Sequence, residues 1–241
     1  MVRVHIIVEG ETEEAFVNEV LYPHFLACGV FLNAILAPSK RRATARVHRG
    51  GGHSFKPALF AIQQKLKEDP TASCTTLFDY YGLPPDFPGL GNPALPPPAQ
   101  LAQRISFLEQ ELDTATGNTG RLVPYLQVHE FEAILFSDVS AIDSALDVLG
   151  GHWNGLSQLQ TVLTQAGAPE AINDGPTTAP SKRLKAIYPG YDKVFFGPLI
   201  AGNIGLAQIR SACPRFHAWM CRLEGLAPNA VVRPAGTPDC D

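Results

Sequence analysis

The chain has 241 residues, of which 45% are hydrophobic and 17% are charged, and its formal net charge is −4. This composition permits an ordinary buried core and excludes wholesale disorder. The acidic balance excludes a protein coated in positive charge for passive binding to nucleic acid. A nuclease remains open, since an acidic metal centre needs only a local basic rim.

The cysteines and the apolar segments bear on the compartment. An odd number of cysteines with no Cys-x-x-Cys pair predicts neither a disulfide framework nor a zinc knuckle, so we expect reduced thiols in the cytosol. The chain opens on a strand-like run without a signal-peptide pattern, and no apolar stretch approaches the ~20 residues of a membrane span. We therefore expect a soluble, cytoplasmic protein. The five cysteines are Cys28, Cys74, Cys213, Cys221 and Cys240.

Strands and helices alternate in the first half of the chain. Thr12 is the expected N-cap of the first helix. Three strand–helix repeats followed by a fourth strand predict an α/β fold, with a four-stranded parallel sheet flanked by helices. Right-handed crossovers bring the carboxyl ends of such strands to one edge, where ligands bind. The predicted strands are 2–8, 30–36, 74–78 and 121–128, and the predicted helices are 12–28, 56–67, 100–112 and 129–136.

Strands are scarce after Asp138, and helical periodicity dominates the second half. We interpret the chain as an α/β domain over 1–138, a C-terminal helical subdomain over 139–226 that packs on it, and a flexible tail over 227–241. The predicted helices of the second half lie near 139–149, 156–166, 180–187 and 198–224.

Polar residues follow three of the predicted strands where each strand leaves the core. Glu9 follows the first strand, Asp79 the third, and the run His129-Glu130-Phe131-Glu132 the fourth. Glu13 lies four residues after Glu9, so a helix beginning near Thr12 would bring the two carboxylates close. Carboxylates held together repel one another unless a cation or a proton intervenes, and hard oxygen ligands suit Mg²⁺ or Mn²⁺.

These positions give the predicted site. The alternative for the acidic residues of the first turn is that they favour the helix dipole, and this alternative suits Glu11 and Glu14 best. His129 is a candidate general base, with a cap inside the fold as the alternative. The predicted catalytic residues are Glu9, Glu13 and His129, and the predicted metal ligands are Glu9, Asp79, Glu130 and Glu132.

Basic residues concentrate in two places. The run 49–53 (RGGGH) is similar to a glycine loop that cradles phosphate, but it lacks the Lys-Ser/Thr of a P-loop. The second place is a predicted helix start with Ser181 as N-cap, where two cations oppose the helix dipole and hint at an anionic ligand or a nearby carboxylate. A solvated loop is the alternative for the first place. The predicted nucleic-acid or phosphate contacts are Arg42, Arg49, Gly51, Gly52, His53, Lys182 and Arg183.

The segment VEGETEEAFV resembles the first motif of Toprim domains, particularly those of OLD-type nucleases. Over residues 1 to about 224 the chain is similar to a Toprim-like bacterial family defined as a domain of unknown function. The shared stretches are VEGETEE, LFDYYGLP, HEFEAILFSD, PSKRL and IRSACPRF.

This resemblance implies a Toprim-like parallel sheet, a glutamate after the first strand for acid/base work or metal binding, and an Asp-x-Asp pair after the third that holds Mg²⁺. Glu9 then takes the glutamate role, Glu13 that of an accessory acid and Asp79 that of the first aspartate. Tyr81 stands at the second aspartate position, and a phenol is a poor Mg²⁺ ligand. The group that completes the site would come from His129, Glu130 or Glu132.

The function implied is a Mg²⁺-dependent nuclease or phosphodiesterase that acts on nucleic acid. The resemblance further implies the nuclease-like component of a phage-defence system that works with a separate ABC- or AAA-type ATPase, since this chain has no Walker motif. A catalytically weak or inactive binding subunit is the alternative, which Tyr81 and the acidic balance favour, and a small-molecule phosphohydrolase is a third reading. A homo-oligomer is compatible with each of these functions, and no membrane contact is expected.

Overall fold

The computed structural model describes residues 1–38, 54–149, 154–172, 177–227 and Cys240. None of the helices in these ranges has the length and the apolar character that a membrane span requires. Five of the predicted phosphate contacts lie outside the described residues, namely Arg42, Arg49, Gly51, Gly52 and His53.

The predicted parallel sheet is confirmed. All strand pairs are parallel, in the order β2-β1-β3-β4, and β5 also pairs with β3. Val8 lies opposite Leu77, and Asp79 lies opposite Gln127, so three strands end at nearly the same level. The strands are β1 (Val2–Val8), β2 (Val30–Leu36), β3 (Ser73–Asp79), β4 (Leu122–Val123) and β5 (Leu126–Gln127).

The fourth predicted strand, 121–128, is broken into β4 and β5. Pro124 lies between the two pieces and has no N–H to give to the ladder. The buried hydroxyl of Thr76 bridges the break, since it donates to the Tyr125 carbonyl at 2.8 Å and accepts from the Tyr125 N–H at 2.9 Å. The strand therefore continues along β3 with one side chain in place of a backbone pair.

Helices cover both faces of the sheet. The first predicted helix is continuous from Glu11 to Ala27 but contains a π-helical segment just before Pro23, whose missing N–H disturbs the regular ladder. Its N-cap is Gly10 and the expectation of a Thr12 cap is wrong, since the helix already begins at Glu11 and buries Thr12 in its first turn. The helices of the first half are α1 (Glu11–Phe16), α2 (Tyr22–Ala27), α3 (Lys56–Glu68) and α4 (Leu101–Thr116).

The second half is helical as predicted, with different boundaries. The predicted helix 198–224 is three helices, because Gly205 at φ 80° ends one and Pro214 begins another. The residues after His129 form a 3-10 helix (Phe131–Ser137). The predicted Ser181 cap is wrong, since Ala179 occupies that position. The helices are α5 (Val139–Leu146), α6 (Gly155–Ala166), α7 (Pro180–Ile187), α8 (Lys193–Ile204), α9 (Leu206–Ala212) and α10 (Pro214–Glu224).

The core has one hydrophobic cluster on each face of the sheet. The alternating residues Val4, Ile6 and Val8 of β1 belong to the cluster that α1, α2 and the helices of the second half complete, while Ile7 belongs to the cluster under α3 and α4. Trp219 of α10 ties the first cluster to β3, since its indole N–H donates to the Thr75 hydroxyl at 2.8 Å.

A close approach of α8 to α1 places the start of α8 beside the sheet edge. A Cβ on Gly197 would lie 3.1 Å from Thr12 Cγ2 and 3.1 Å from a ring carbon of Phe131. A side chain there would crowd both neighbours, so glycine at this position lets α8 pack directly on α1 and the 3-10 helix. The first residue of α8, Lys193, is thereby brought to the ends of β1 and β3.

The expectation that all five cysteines are reduced thiols is wrong. Cys221 and Cys240 are joined by a disulfide across a sequence separation of 19, with a Cα–Cα distance of 5.6 Å. The pairing depends on the tertiary fold and leaves no Cys-x-x-Cys signal. The remaining cysteines, Cys28, Cys74 and Cys213, are free thiols.

A candidate metal-binding active site

The ends of β1 and β3 bring Glu9 and Asp79 together. The Asp79 N–H donates to Glu9 Oε2 at 3.3 Å, and Asp79 Oδ1 accepts from the N–H of Phe131 at 2.8 Å. The Asp79 carboxylate therefore joins the end of β3 to the first residue of the 3-10 helix. A Cβ on Gly82 would lie 3.4 Å from Glu9 Oε1, so the turn after β3 also closes on this carboxylate.

Glu13 supplies a third carboxylate from the first turn of α1. Glu13 is 3% exposed, and its Oε2 lies 3.0 Å from the position that a Cβ on Gly10 would occupy. Burial raises the pKa of Glu13, and the charge of Lys193 partly offsets this rise. The pKa of Glu9, which lies at the exposed rim, is also raised, chiefly by partial loss of water and then by the charge of Glu13.

Glu132 supplies a fourth carboxylate from the 3-10 helix. It is 1% exposed, and within the described ranges its Oε1 has no hydrogen-bond partner. Burial raises the pKa of Glu132 to about 7, with a further contribution from the charges of Glu130 and Glu13. The pKa of Asp79 is raised well above its ordinary value, first by burial and then by the neighbouring carboxylates. Burial is thus the main reason that all four carboxylates resist ionisation, and the neighbouring charges add to it at Glu9, Asp79 and Glu132.

Two residues that the sequence reasoning missed complete the cluster. Burial alone would lower the pKa of Lys193, but the charges of Glu132, Glu13, Asp79 and Glu9 raise it above its ordinary value. Tyr191 is buried, and its hydroxyl is another polar atom without a partner in the described part of the chain.

Burial raises the pKa of the Tyr191 phenol, and the charges of Glu132 and Glu130 raise it further. Both missed residues lie more than 50 positions after Glu132, and the sequence reasoning placed the start of the helix at 198. The signal that could have found them is Asp192, which caps α8 by accepting from the N–H of Val194 at 2.9 Å.

Glu130 and His129 have other contacts than the predicted ones. Glu130 Oε2 accepts the N–H of Ser181 at 3.0 Å, in the first turn of α7, and its charge still reaches Glu132 and Glu9. His129 has a left-handed backbone (φ 63°), and its carbonyl accepts the N–H of Tyr81 at 3.1 Å. Position 129 therefore turns the chain from β5 into the segment that carries the two glutamates.

The basic start of α7 lies beside Glu130. Lys182 is exposed, and Arg183 Nε donates to the Thr178 carbonyl at 2.8 Å. Of the two explanations for cations at this helix start, the structure provides the nearby carboxylate, since Glu130 interacts with the amino end of α7. Tyr81, at the position expected for a second aspartate, is 47% exposed.

The donor set fits a hard divalent cation. Four carboxylates with raised pKa values, one of which has a buried oxygen without a partner among the described residues, provide the ligands that Mg²⁺ and Mn²⁺ prefer. Within the described residues, the group of three whose ligand atoms all lie within 4.8 Å is His217, Cys221 and Cys240, at another place in the fold. The carboxylates would therefore have to rotate towards one another in order to share an ion.

Comparisons with known proteins give a matching family and a similar solved structure. The family described as Domain of unknown function (DUF4276) matches residues 8–224. The chain is also similar to the "C-terminal region of the Burkholderia pseudomallei OLD protein", with 18% identity over 96% of this chain and 100% of that chain and a TM-score of 0.48. No curated protein matches the chain.

Proposed function

The chain belongs to the DUF4276 family, and we propose that it is a phosphodiesterase that depends on Mg²⁺ or Mn²⁺ and acts on nucleic acid. The observation that carries the proposal is the convergence of Glu9, Glu13, Asp79 and Glu132 with Lys193 at the carboxyl edge of a parallel sheet. Four carboxylates with raised pKa values are costly to keep together, and a divalent cation would remove that cost.

The roles follow from the position of each group. Glu9 and Asp79 would hold the metal, and Glu132 would complete the ligand set where Tyr81 cannot, because its Oε1 lacks a partner among the described residues. When bound, the metal would activate water and stabilise charge on the phosphate. Glu13 would accept the proton of the attacking water, since its raised pKa suits a general base.

Lys193 would neutralise the phosphate. Its ammonium group keeps its charge, because the carboxylates raise its pKa, and it is positioned by the first turn of α8. A fixed cation that faces a developing negative charge is a common source of transition-state stabilisation. The basic segment 40–53 would hold the nucleic-acid backbone, as its sequence suggests.

The wider assignment rests on the Toprim-like motif of residues 8–17. By that resemblance the chain would be the nuclease-like component of a phage-defence system and would work with a separate ABC- or AAA-type ATPase. A catalytically inactive binding subunit is the second candidate, and the specific observation that favours it is Tyr81 at the expected aspartate position. Metal binding separates the two candidates.

The test is calorimetric titration of Mn²⁺ and Mg²⁺ into the purified chain, beside Glu9→Ala and Asp79→Asn. Glu19→Ala is the matched control, since Glu19 is an exposed glutamate of the same helical segment. Hydrolysis of bis(p-nitrophenyl) phosphate and of single- and double-stranded DNA with Mn²⁺ is measured on the same proteins, with and without the co-expressed ATPase.

Saturable binding that both site variants lose and the control keeps, together with metal-dependent hydrolysis, is the expected result. No binding in the wild type would overturn the metal-dependent assignment and leave the binding subunit. Binding without hydrolysis of any substrate, even with the ATPase present, would limit the site to a structural or regulatory role.

A further inference from the structure

A second polar cluster surrounds the Cys221–Cys240 disulfide and takes no part in the acidic site. Arg210 of α9 is 1% exposed, and its Nη2 lies 3.3 Å from Cys221 Sγ and 3.5 Å from Cys240 Sγ. A disulfide sulfur is a weak acceptor, whereas a thiolate is strongly stabilised by a neighbouring arginine. The contact of Arg210 with both sulfurs therefore favours the thiolate that reduction of the disulfide would produce.

Glu224 holds the guanidinium in place. Both of its carboxylate oxygens accept from Arg210, and His24 Nε2 lies 2.7 Å from Oε1. Burial alone would raise the pKa of Glu224, but the hydrogen bonds from His24 and Arg210 lower it to about 2. Arg210 is thus held in place by a bidentate ion pair with Glu224, and its Nη2 also contacts the two disulfide sulfurs.

His217 provides a second donor. Its Nδ1 accepts the Nε–H of Arg210 at 3.1 Å, and because arginine cannot accept, the proton of the neutral imidazole is on Nε2. Nε2 lies 3.5 Å from Cys221 Sγ, one helical turn further along α10. Two N–H groups, one from each side chain, therefore face the same sulfur.

We propose that Cys221–Cys240 is a redox-active disulfide that a dithiol reductant opens, with Cys221 leaving as a thiolate stabilised by Arg210 and His217. The reductant thiolate attacks Cys240 Sγ, a mixed disulfide with Cys240 forms, and the bond to Cys221 breaks. The second thiol of the reductant then closes its own disulfide and releases Cys240, which takes a proton. Two electrons pass from the reductant to the protein, and the covalent link between α10 and Cys240 is lost.

The stabilisation of the Cys221 thiolate determines which sulfur the reductant attacks, namely Cys240 Sγ. A thiol of lower pKa is the better leaving group in disulfide exchange, and cysteines beside arginine or histidine have lowered pKa values. Cys221 is close to both donors, while Cys240 is close to Arg210 and 3.6 Å from the Glu224 carboxylate, whose charge opposes a second thiolate.

The same residues argue against a resident metal at this place. His217, Cys221 and Cys240 bring three ligand atoms within 4.8 Å of one another. However, His217 Nδ1 already accepts from Arg210, and the fixed guanidinium lies against both sulfurs, where a second cation would be repelled. The geometry favours thiol chemistry over metal binding.

The test uses the full chain after reduction, with iodoacetamide alkylation at pH 7 followed by mass spectrometry at each cysteine. Cys28 is the internal reference, because it is a half-buried free thiol whose pKa burial raises. We expect Cys221 to react roughly tenfold faster than Cys28 or more, since a pKa lowered by one unit or more raises the thiolate fraction about tenfold. His217→Leu should reduce this ratio, and Cys74→Ala, in the core cluster on the other face of the sheet, should leave the rate at Cys221 unchanged.

Two further measurements decide the proposal if His217→Leu folds poorly. In Cys240→Ser the Cys221 thiol is permanently free, and its fast alkylation should persist. Titration with mixtures of reduced and oxidised dithiothreitol should open and close the wild-type disulfide reversibly in the folded protein. A Cys221 no faster than Cys28, a disulfide that stays closed in excess dithiol, or one equivalent of Zn²⁺ bound by the reduced chain and lost in His217→Leu would each overturn the proposal.

Discussion

Replacement of Glu132 by glutamine tests how much the buried charge of this residue lowers the stability of the metal-free protein. Glutamine keeps the shape of the side chain and removes its charge, and the residue is almost fully buried, so solvent screening is weak. The pKa of Glu132 is raised from 4.5 to about 7 in the folded protein, chiefly by burial. Between those values the folded state binds a proton that the unfolded state has released.

The sign and size of the effect follow from that difference. Because the folded state binds more protons between pH 4.5 and pH 7, the free energy of unfolding falls as pH rises through this window, and the full penalty is present above pH 7. The gap between 4.5 and about 7, at 1.36 kcal/mol per pH unit, corresponds to about 3 kcal/mol. Metal-free wild type should therefore lose about that much more stability than Glu132→Gln between pH 4.5 and pH 8.

Urea unfolding of both proteins in EDTA, at pH 4.5 and at pH 8, measures the difference. The change in the free energy of unfolding between the two pH values is compared, because the cost of a buried amide is the same at both. That cost is about 1–3 kcal/mol if the amide lacks a partner. Equal pH dependence in the two proteins would refute the reasoning, because Glu132 would then ionise in the folded state as easily as in the unfolded one. Added Mg²⁺ should stabilise the wild type at pH 8 and have no such effect on Glu132→Gln.

Two other substitutions test the arrangement around the cluster. Lys193→Gln removes the cation that lowers the pKa of the carboxyls, so metal-free stability in urea should fall by roughly 1 kcal/mol at pH 8 and by less at pH 5. Gly197→Val should lower thermal stability by about 1–3 kcal/mol, because a Cβ there meets atoms at 3.1 Å, whereas Gly202→Ala, where the nearest atom is 3.9 Å away, should be tolerated. Equal melting temperatures for the two glycine variants would contradict the packing argument.

Much of the fold could be predicted because the main strands are recognisable from short runs of the sequence. The apolar runs of β1 and β2 have the same limits in prediction and structure, and β3 differs by one residue at each end. The errors lie where tertiary contacts override local pattern. Pro124 divides the fourth strand, but the side chain of Thr76 bridges the break at Tyr125, and no local pattern there reveals a partner 49 positions earlier.

The acidic half of the candidate site could be anticipated for the same reason. Glu9 and Asp79 directly follow strands, so the rule that parallel strands end at one edge is enough to bring them together. Lys193 and Tyr191 reach the site through the packing of α8 on α1, which depends on Gly197 and has no periodic signature in the sequence. The Cys221–Cys240 pairing was missed on the same ground, since it too depends on how distant segments pack.

The glycines around the acidic cluster bear on whether it is a site or an accident of packing. A Cβ on Gly10 would lie 3.0 Å from Glu13 Oε2, and one on Gly82 would lie 3.4 Å from Glu9 Oε1. A larger residue at either position would therefore crowd one of the two carboxylates. Backbone that approaches two like-charged carboxylates from both sides holds them at a fixed place, and the proposed cation would offset their repulsion there.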